Sequence, residues 1–210
     1  MRTIRKGREP ASLTLHRSGA HANYDNYVDK DTLRTFLEKE QRGLCCYCLS
    51  RIPGARGMKV EHWRSQDRYA AEQLDYTNLL GACLGNEGQP GNHQHCDTRK
   101  GNRDLSRNPA NPMHRVGDLV RFEGDGRIAS DNPVFDSDLN DVLNLNEAFL
   151  RNNRKATLDA FIAALPKRGR LSPETVEKWL MNWNGESHTG ELPPFCQVVV
   201  YWLRKRLARA

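Results

Sequence analysis

The placement of six cysteines constrains this chain more tightly than any other feature. Five of them, Cys45, Cys46, Cys48, Cys83 and Cys96, fall in a stretch rich in glycine and polar residues, with few apolar side chains to build a core. The first 20 residues contain no apolar segment of the secretory kind, so the protein is read as cytoplasmic. Thiols stay reduced there, and clustered cysteines are sought first as metal ligands. Cys45-x2-Cys48 has the spacing of a zinc knuckle. Cys83 and Cys96 supply a second pair if the loop between them, with Gly85, Gly88, Pro90 and Gly91, closes on itself. Cys46 in place of Cys45, and His95 or His93 in place of Cys96, are alternative ligands. A structural Zn2+ held in this way is worth on the order of 10 kcal/mol and can replace a missing core. Cys196, amid apolar residues, belongs to the core.

The remaining pattern predicts an α+β chain of 210 residues, long enough for one domain or for a module with an appendage. Residues 1–28 read as a polar, extended, basic arm. Asp29–Asp31 opens a helix with Leu33, Phe36 and Leu37 on its inner face and Gly43 at its stop. Met58–His62 reads as a strand after a Pro53-Gly54 turn, and Leu79–Leu84 forms a second apolar patch. Asn108–Pro112 is the best linker, dividing a zinc-containing domain (29–107) from a C-terminal region (108–210). That region opens with a hairpin, Leu119–Phe122 and Arg127–Ala129 around Asp125-Gly126. Three helices follow. Phe149, Leu150, Leu158, Phe161, Ile162 and Leu165 mark the first, Ser172-Pro173 opens the second with Val176, Trp179 and Leu180 inside, and Phe195 to Leu203 marks the third. Their aromatic stripe is read as core. No stretch approaches the length of a membrane-spanning helix, so no membrane partner is expected.

Between the cysteine pairs lie Glu61-His62-Trp63 and Asn78-Leu79-Leu80, and Asp97-Thr98-Arg99-Lys100 follows Cys96 directly. The order Cys-x2-Cys, acid-His, Asn-Leu, Cys, Cys-x3-Lys over residues 45–101 resembles the HNH (ββα-metal) endonucleases. That resemblance implies a zinc-stapled ββα-metal core with a mainly α-helical C-terminal region. Glu61 stands where Asp is commoner, Asp97 where a final His is expected, and the second cysteine pair is widely split. Met1–Lys6, Leu44–Cys48, Val60–Trp63, Cys96–Asn102 and Leu143–Arg154 extend the resemblance to the PtuB family, nuclease subunits of Septu-type and retron-associated bacterial antiviral systems. Membership would imply a complex with a PtuA-type ATPase, in some systems joined by a retron reverse transcriptase and its multicopy single-stranded DNA (msDNA). It would also imply attack on phage DNA or host tRNA.

The chemistry of phosphodiester hydrolysis accommodates these residues. His62 is the candidate general base, because imidazole titrates near physiological pH. Asn78 holds its loop or orients its ring. Glu61 and Asp97 are hard oxygen ligands for a catalytic Mg2+ or Mn2+, and Arg99, Lys100 and Arg103 are candidate nucleic-acid contacts. The formal charge is +6, yet the first 20 residues and the last ten carry +4 each, leaving 180 residues at −2. Those basic ends fit a nucleic-acid track or a docking surface for the ATPase equally well. An alternative function of another class is a noncatalytic zinc module that binds nucleic acid or a protein partner.

Overall fold

A computed structural model describes residues 1–166 and 171–208; Arg209 of the basic C-terminal stretch lies outside them. The architecture is α+β, with two small antiparallel hairpins set among helices and a helical C-terminal third. Helix α1 spans Ala11–Arg17 and α2 spans Lys30–Glu40. Leu33 and Leu37 of α2, one turn apart, are fully buried, whereas Phe36 sits at the margin of the stripe and is 40% exposed. Gly43 ends α2 at φ +74°, its N–H donating to the Glu38 carbonyl at 2.9 Å, and swings the chain into Cys45.

Strand β1 (Lys59–His62) pairs antiparallel with β2 (Leu79–Ala82), in a register running from Lys59 opposite Ala82 to His62 opposite Leu79. All four residues of β2 are buried, which explains why they read as one apolar run and not as an alternating strand. A five-residue helix, α3 (Cys96–Lys100), completes a strand, strand, helix sequence. The opposite ends of this hairpin carry different chemistry. Cys83 follows the end of β2, and His62 closes β1 at the other end.

The N-terminal segment is not an extended arm. It contains α1, and Met1, Ile4 and Leu13 are buried in the main core. Lys6 lies between the Glu40 carboxylate (2.7 Å), the Leu79 carbonyl (2.9 Å) and the face of the Tyr76 ring. Nor is Asn108–Pro112 a free linker. Asn108 and Ala110 are buried, and Pro109 accepts a 2.8 Å hydrogen bond from the Ile4 N–H. Both departures have one cause, since apolar residues spaced too widely to show a period can still be buried by distant partners.

Strands β3 (Val120–Phe122) and β4 (Ile128–Ser130) form the second hairpin, preceded by α4 (Val116–Leu119). Helix α5 (Pro133–Ser137) is capped by Asn132 and runs into a π turn, Asp138–Val142. Helices α6 (Ala148–Ala163), α7 (Pro173–Asn184, capped by Ser172) and α8 (Cys196–Leu207) pack around Phe161, whose ring meets Trp179, Trp183 and Trp202 edge-on at 5.4–5.8 Å. Phe149 and Ile162, expected on the inner face of α6, are 57% and 41% exposed. Among the described residues no helix is long and apolar enough to cross a membrane.

Candidate metal centre and active site

Four thiols converge where the knuckle meets the end of β2. The Sγ atoms of Cys45, Cys48, Cys83 and Cys96 all lie within 4.8 Å of one another. Sulfurs at about 2.3 Å from a tetrahedral zinc are about 3.8 Å apart. Here Cys45 and Cys96 are separated by 3.9 Å, and Cys48 and Cys83 by 3.7 Å. The donor set and its spacing therefore fit Zn2+. Burial opposes ionisation of Cys45, but hydrogen bonds from Cys46, Cys48, Cys83 and Cys96 pull its thiol well below the usual value. The Cys83 thiol is pushed up by its hydrogen bonds to Cys45 and Cys48, and Cys96 is pushed up by burial. Cys83 and Cys96 thus hold their protons until a divalent cation displaces them.

Cys46 is buried but outside the quartet, which decides between the two knuckles. His95 is also outside it. Its buried ring lies alongside, with Nδ1 3.2 Å from Cys96 Sγ and 4.0 Å from Cys83 Sγ. His93 is exposed and points to Glu147 at 3.6 Å. The long loop between Cys83 and Cys96 closes because the His95 N–H donates to the Gly85 carbonyl at 3.0 Å. Gly85 has φ +56°, and a Cβ there would stand 2.1 Å from the His95 carbonyl oxygen, so only glycine permits the closure. Distant residues finish it. The Cys96 N–H donates to the Leu143 carbonyl, and the Asn144 amide donates to the carbonyls of Asn92 and Gln94.

Two buried side chains that support the quartet gave no motif signal. Gln41 donates to the Leu44 and Gly81 carbonyls and accepts from the Gly81 N–H, tying α2 and the knuckle to β2. Arg154 of α6 donates to the Gly126 and Leu145 carbonyls, and its pKa is depressed to about 10 by burial, opposed by Cys48 and Cys96. It places a buried positive charge near a centre that becomes anionic when all four thiols ionise. In the sequence Arg154 stands only as the end of the Leu143–Arg154 stretch of the family resemblance, which indicates no partner for it.

The other end of the hairpin holds His62, which is 7% exposed. Its Nε2 is 3.0 Å from the Gln73 carbonyl, an acceptor only, so Nε2 carries the proton and Nδ1 keeps a lone pair. The Tyr24 ring meets the imidazole edge-on at 4.5 Å, and burial lowers the His62 pKa, favouring the neutral base. Asn78 accepts from the Arg64 N–H at 2.7 Å and donates to the Arg64 and Glu72 carbonyls, stapling the loop that follows His62.

Glu61 is buried. One of its oxygens, Oε1, accepts from the Tyr47 hydroxyl at 2.6 Å and from Lys100 Nζ at 2.9 Å. Burial raises its pKa well above the carboxylate range, and hydrogen bonding with the Asp97 carboxyl raises it further. Two carboxyl groups in contact must share a proton or a cation. Glu61 and Asp97 therefore fit a hard divalent cation as a partial donor set, though His62 does not close with them into a three-ligand cluster of the kind the cysteines form.

The cationic residues depart from expectation. Lys100 is 2% exposed and spends its charge on Glu61 and the His62 carbonyl, out of reach of any phosphate. Arg103 donates to the carbonyls of Arg99, Lys100, Asp141 and Val142, clamping α3 to the π turn. Arg99 donates to the Gly91 carbonyl and braces the long loop. Lys100 and Arg103 are thus claimed by backbone carbonyls and a buried carboxylate, whereas Arg99 makes this one hydrogen bond and its Nε has no partner. No family model matches this chain, and no curated protein matches it in sequence.

Proposed function

We propose that this protein is an HNH endonuclease hydrolysing phosphodiester bonds in nucleic acid, with β1, β2 and α3 as its ββα-metal core. The observation that carries the reading is the state of His62. Its ring is oriented by the Gln73 carbonyl at Nε2, flanked by Tyr24, and left with an unprotonated Nδ1 at physiological pH. A neutral imidazole held in one tautomer is equipped to take a proton from an attacking water, a contribution typically of about 10²–10⁴-fold. Asn78 keeps the loop after His62 in place through three hydrogen bonds, so the base does not drift with that loop.

Glu61 and Asp97 would hold Mg2+ or Mn2+, which supplies charge neutralisation at the departing 3′ oxygen. Lys100 lies beneath Glu61 and fixes its position, and Tyr47 orients the same oxygen. The thiolate quartet, with Zn2+, holds the far end of the hairpin and takes no part in the chemistry. The family resemblance adds a setting: a toxic effector acting with a PtuA-type ATPase, in some systems with a retron reverse transcriptase and its msDNA.

The test is cleavage of plasmid DNA and of tRNA, with Mg2+ or Mn2+, by the wild type and His62→Ala. Loss of cleavage in the variant supports the reading. Equal cleavage by both proteins removes His62 from the chemistry, and absence of cleavage by either, with the ATPase supplied, favours the zinc-module alternative.

A further inference from the structure

Away from both ends of the β1–β2 hairpin, a cavity of about 800 Å³ opens between residues 2–5, the C-terminal end of α2 and the turn that follows α7. We propose that it binds a nucleoside polyphosphate. Five arginines line it, Arg2, Arg5, Arg42, Arg115 and Arg204, against three acids, Glu40, Asp118 and Glu186. Glu40 is already paired with Lys6, and Asp118 is shared by Arg115 and Arg204, so two guanidinium groups face one carboxylate. Among the described residues Arg2, Arg5 and Arg42 form no ion pair, although Glu186 on the same wall favours the charge of Arg2.

Arg2 is the most telling group. Its Nη2 has only a long contact, 3.4 Å, to the Asn184 carbonyl, and its Nη1 is buried with no hydrogen-bond partner. A buried guanidinium nitrogen without an acceptor is costly and calls for an anion. Burial depresses the Arg2 pKa, and repulsion from Arg42 and Arg5 depresses it further, a conflict that a bound anion relieves. Arg5 is exposed and forms no ion pair among the described residues. Guanidinium groups bind phosphate oxygens in forked pairs, which makes phosphate the matching chemistry.

The size of the cavity suits a small ligand. Its volume falls within the range of about 300–1,000 Å³ usual for small-molecule sites. Leu44, Cys45, Cys46 and Leu49, all buried, form its inner side, so the cavity has a floor built on the back of the zinc knuckle. Gln197 donates to Asn184, Asn184 to Glu186 and Ser187 to Asn182, which leaves the Gln197 Oε1 and Ser187 Oγ atoms as acceptors for a sugar hydroxyl or a base amine. Arg42 donates to the carbonyls of Gly185, His188 and Gly190 and holds the turn that forms the outer wall. A ligand here would join the N-terminal segment, the back of the zinc knuckle and the α7–α8 connection.

Calorimetric titration of the full chain with ATP, alone and in competition with a single-stranded decanucleotide, tests the proposal. Saturable ATP binding is expected, weakened about tenfold or more in Arg2→Gln and in Arg5→Gln, as befits loss of one charge-assisted contact. Arg8→Gln, an exposed arginine outside the cavity, should leave it unchanged. Arg5 is exposed and unpaired, so Arg5→Gln keeps the test valid even if Arg2→Gln does not fold. Absence of ATP binding at millimolar concentration, equal affinity in all variants, or preferential binding of the decanucleotide to the same arginines would overturn it.

Discussion

One hairpin carries two sites that differ in how they are finished. At the Cys83 end, four like ligands meet with sulfur spacings of 3.7 and 3.9 Å between partners, and the buried charge nearby, that of Arg154, is spent on backbone carbonyls. At the His62 end, Glu61 is already engaged by Lys100 and Tyr47, and the His62 imidazole is oriented by a backbone carbonyl. A site that is closed by its own ligands suits a structural metal. A site that joins an imidazole, a carboxyl pair and a buried cation of unlike chemistry fits the proposed reaction. Because the hairpin spans only four residue pairs, stapling one end constrains the other.

The sharpest way to break that division is at the staple. Cys48→Ala should lose the tightly held zinc and cost on the order of 10 kcal/mol, leaving a protein unfolded or molten by calorimetry, whereas Cys46→Ala should keep its zinc by elemental analysis. Zinc retained at wild-type level in Cys48→Ala would mean that the quartet is not the site. His62→Ala probes the opposite end. Cleavage should fall by about 10²–10⁴-fold with zinc content unchanged. A parallel loss of zinc would show that the two ends are not separable.

Lys100→Met leaves the Glu61 carboxyl buried without its cation and should destabilise the fold by about 3–5 kcal/mol in urea unfolding. Lys100→Met combined with Glu61→Gln should recover most of it; a single variant as stable as wild type would place Lys100 at the surface. The smallest effect is alkaline. Burial raises the Tyr24 pKa to about 12 from an ordinary value near 10. The unfolded chain therefore releases this proton first. The stabilisation from keeping the phenol neutral is intact below about pH 10 and is lost as pH rises towards 12, about 2–3 kcal/mol in all. Unfolding midpoints at pH 9 and 11 should show the decline, and Tyr24→Phe should show less of it.

Several elements of the site were legible because their signals are local. Cys45-x2-Cys48, the strand ending at His62, the glycine-rich loop and the Asp125-Gly126 hairpin each depend on spacings of a few residues. The Ser172-Pro173 helix start and the aromatic core of α6–α8 were legible for the same reason. Asn78 also falls in this class, since it staples a loop only 14 residues away.

What the sequence alone determined is the inventory: the cysteines from which four ligands are drawn, a candidate base, two carboxylates, an α+β chain with a helical end, and cationic termini. Only the tertiary structure decided how each charge is used. It put Lys100 under Glu61, turned Arg103 onto the π turn, brought Lys6 to Glu40 and set Arg2 in the wall of a cavity. A lysine in solvent and a lysine in a buried pair look identical in sequence. The difference is set by which distant carbonyls and carboxylates the fold brings within about 3 Å, and by the cost of burying any charge that none of them meets.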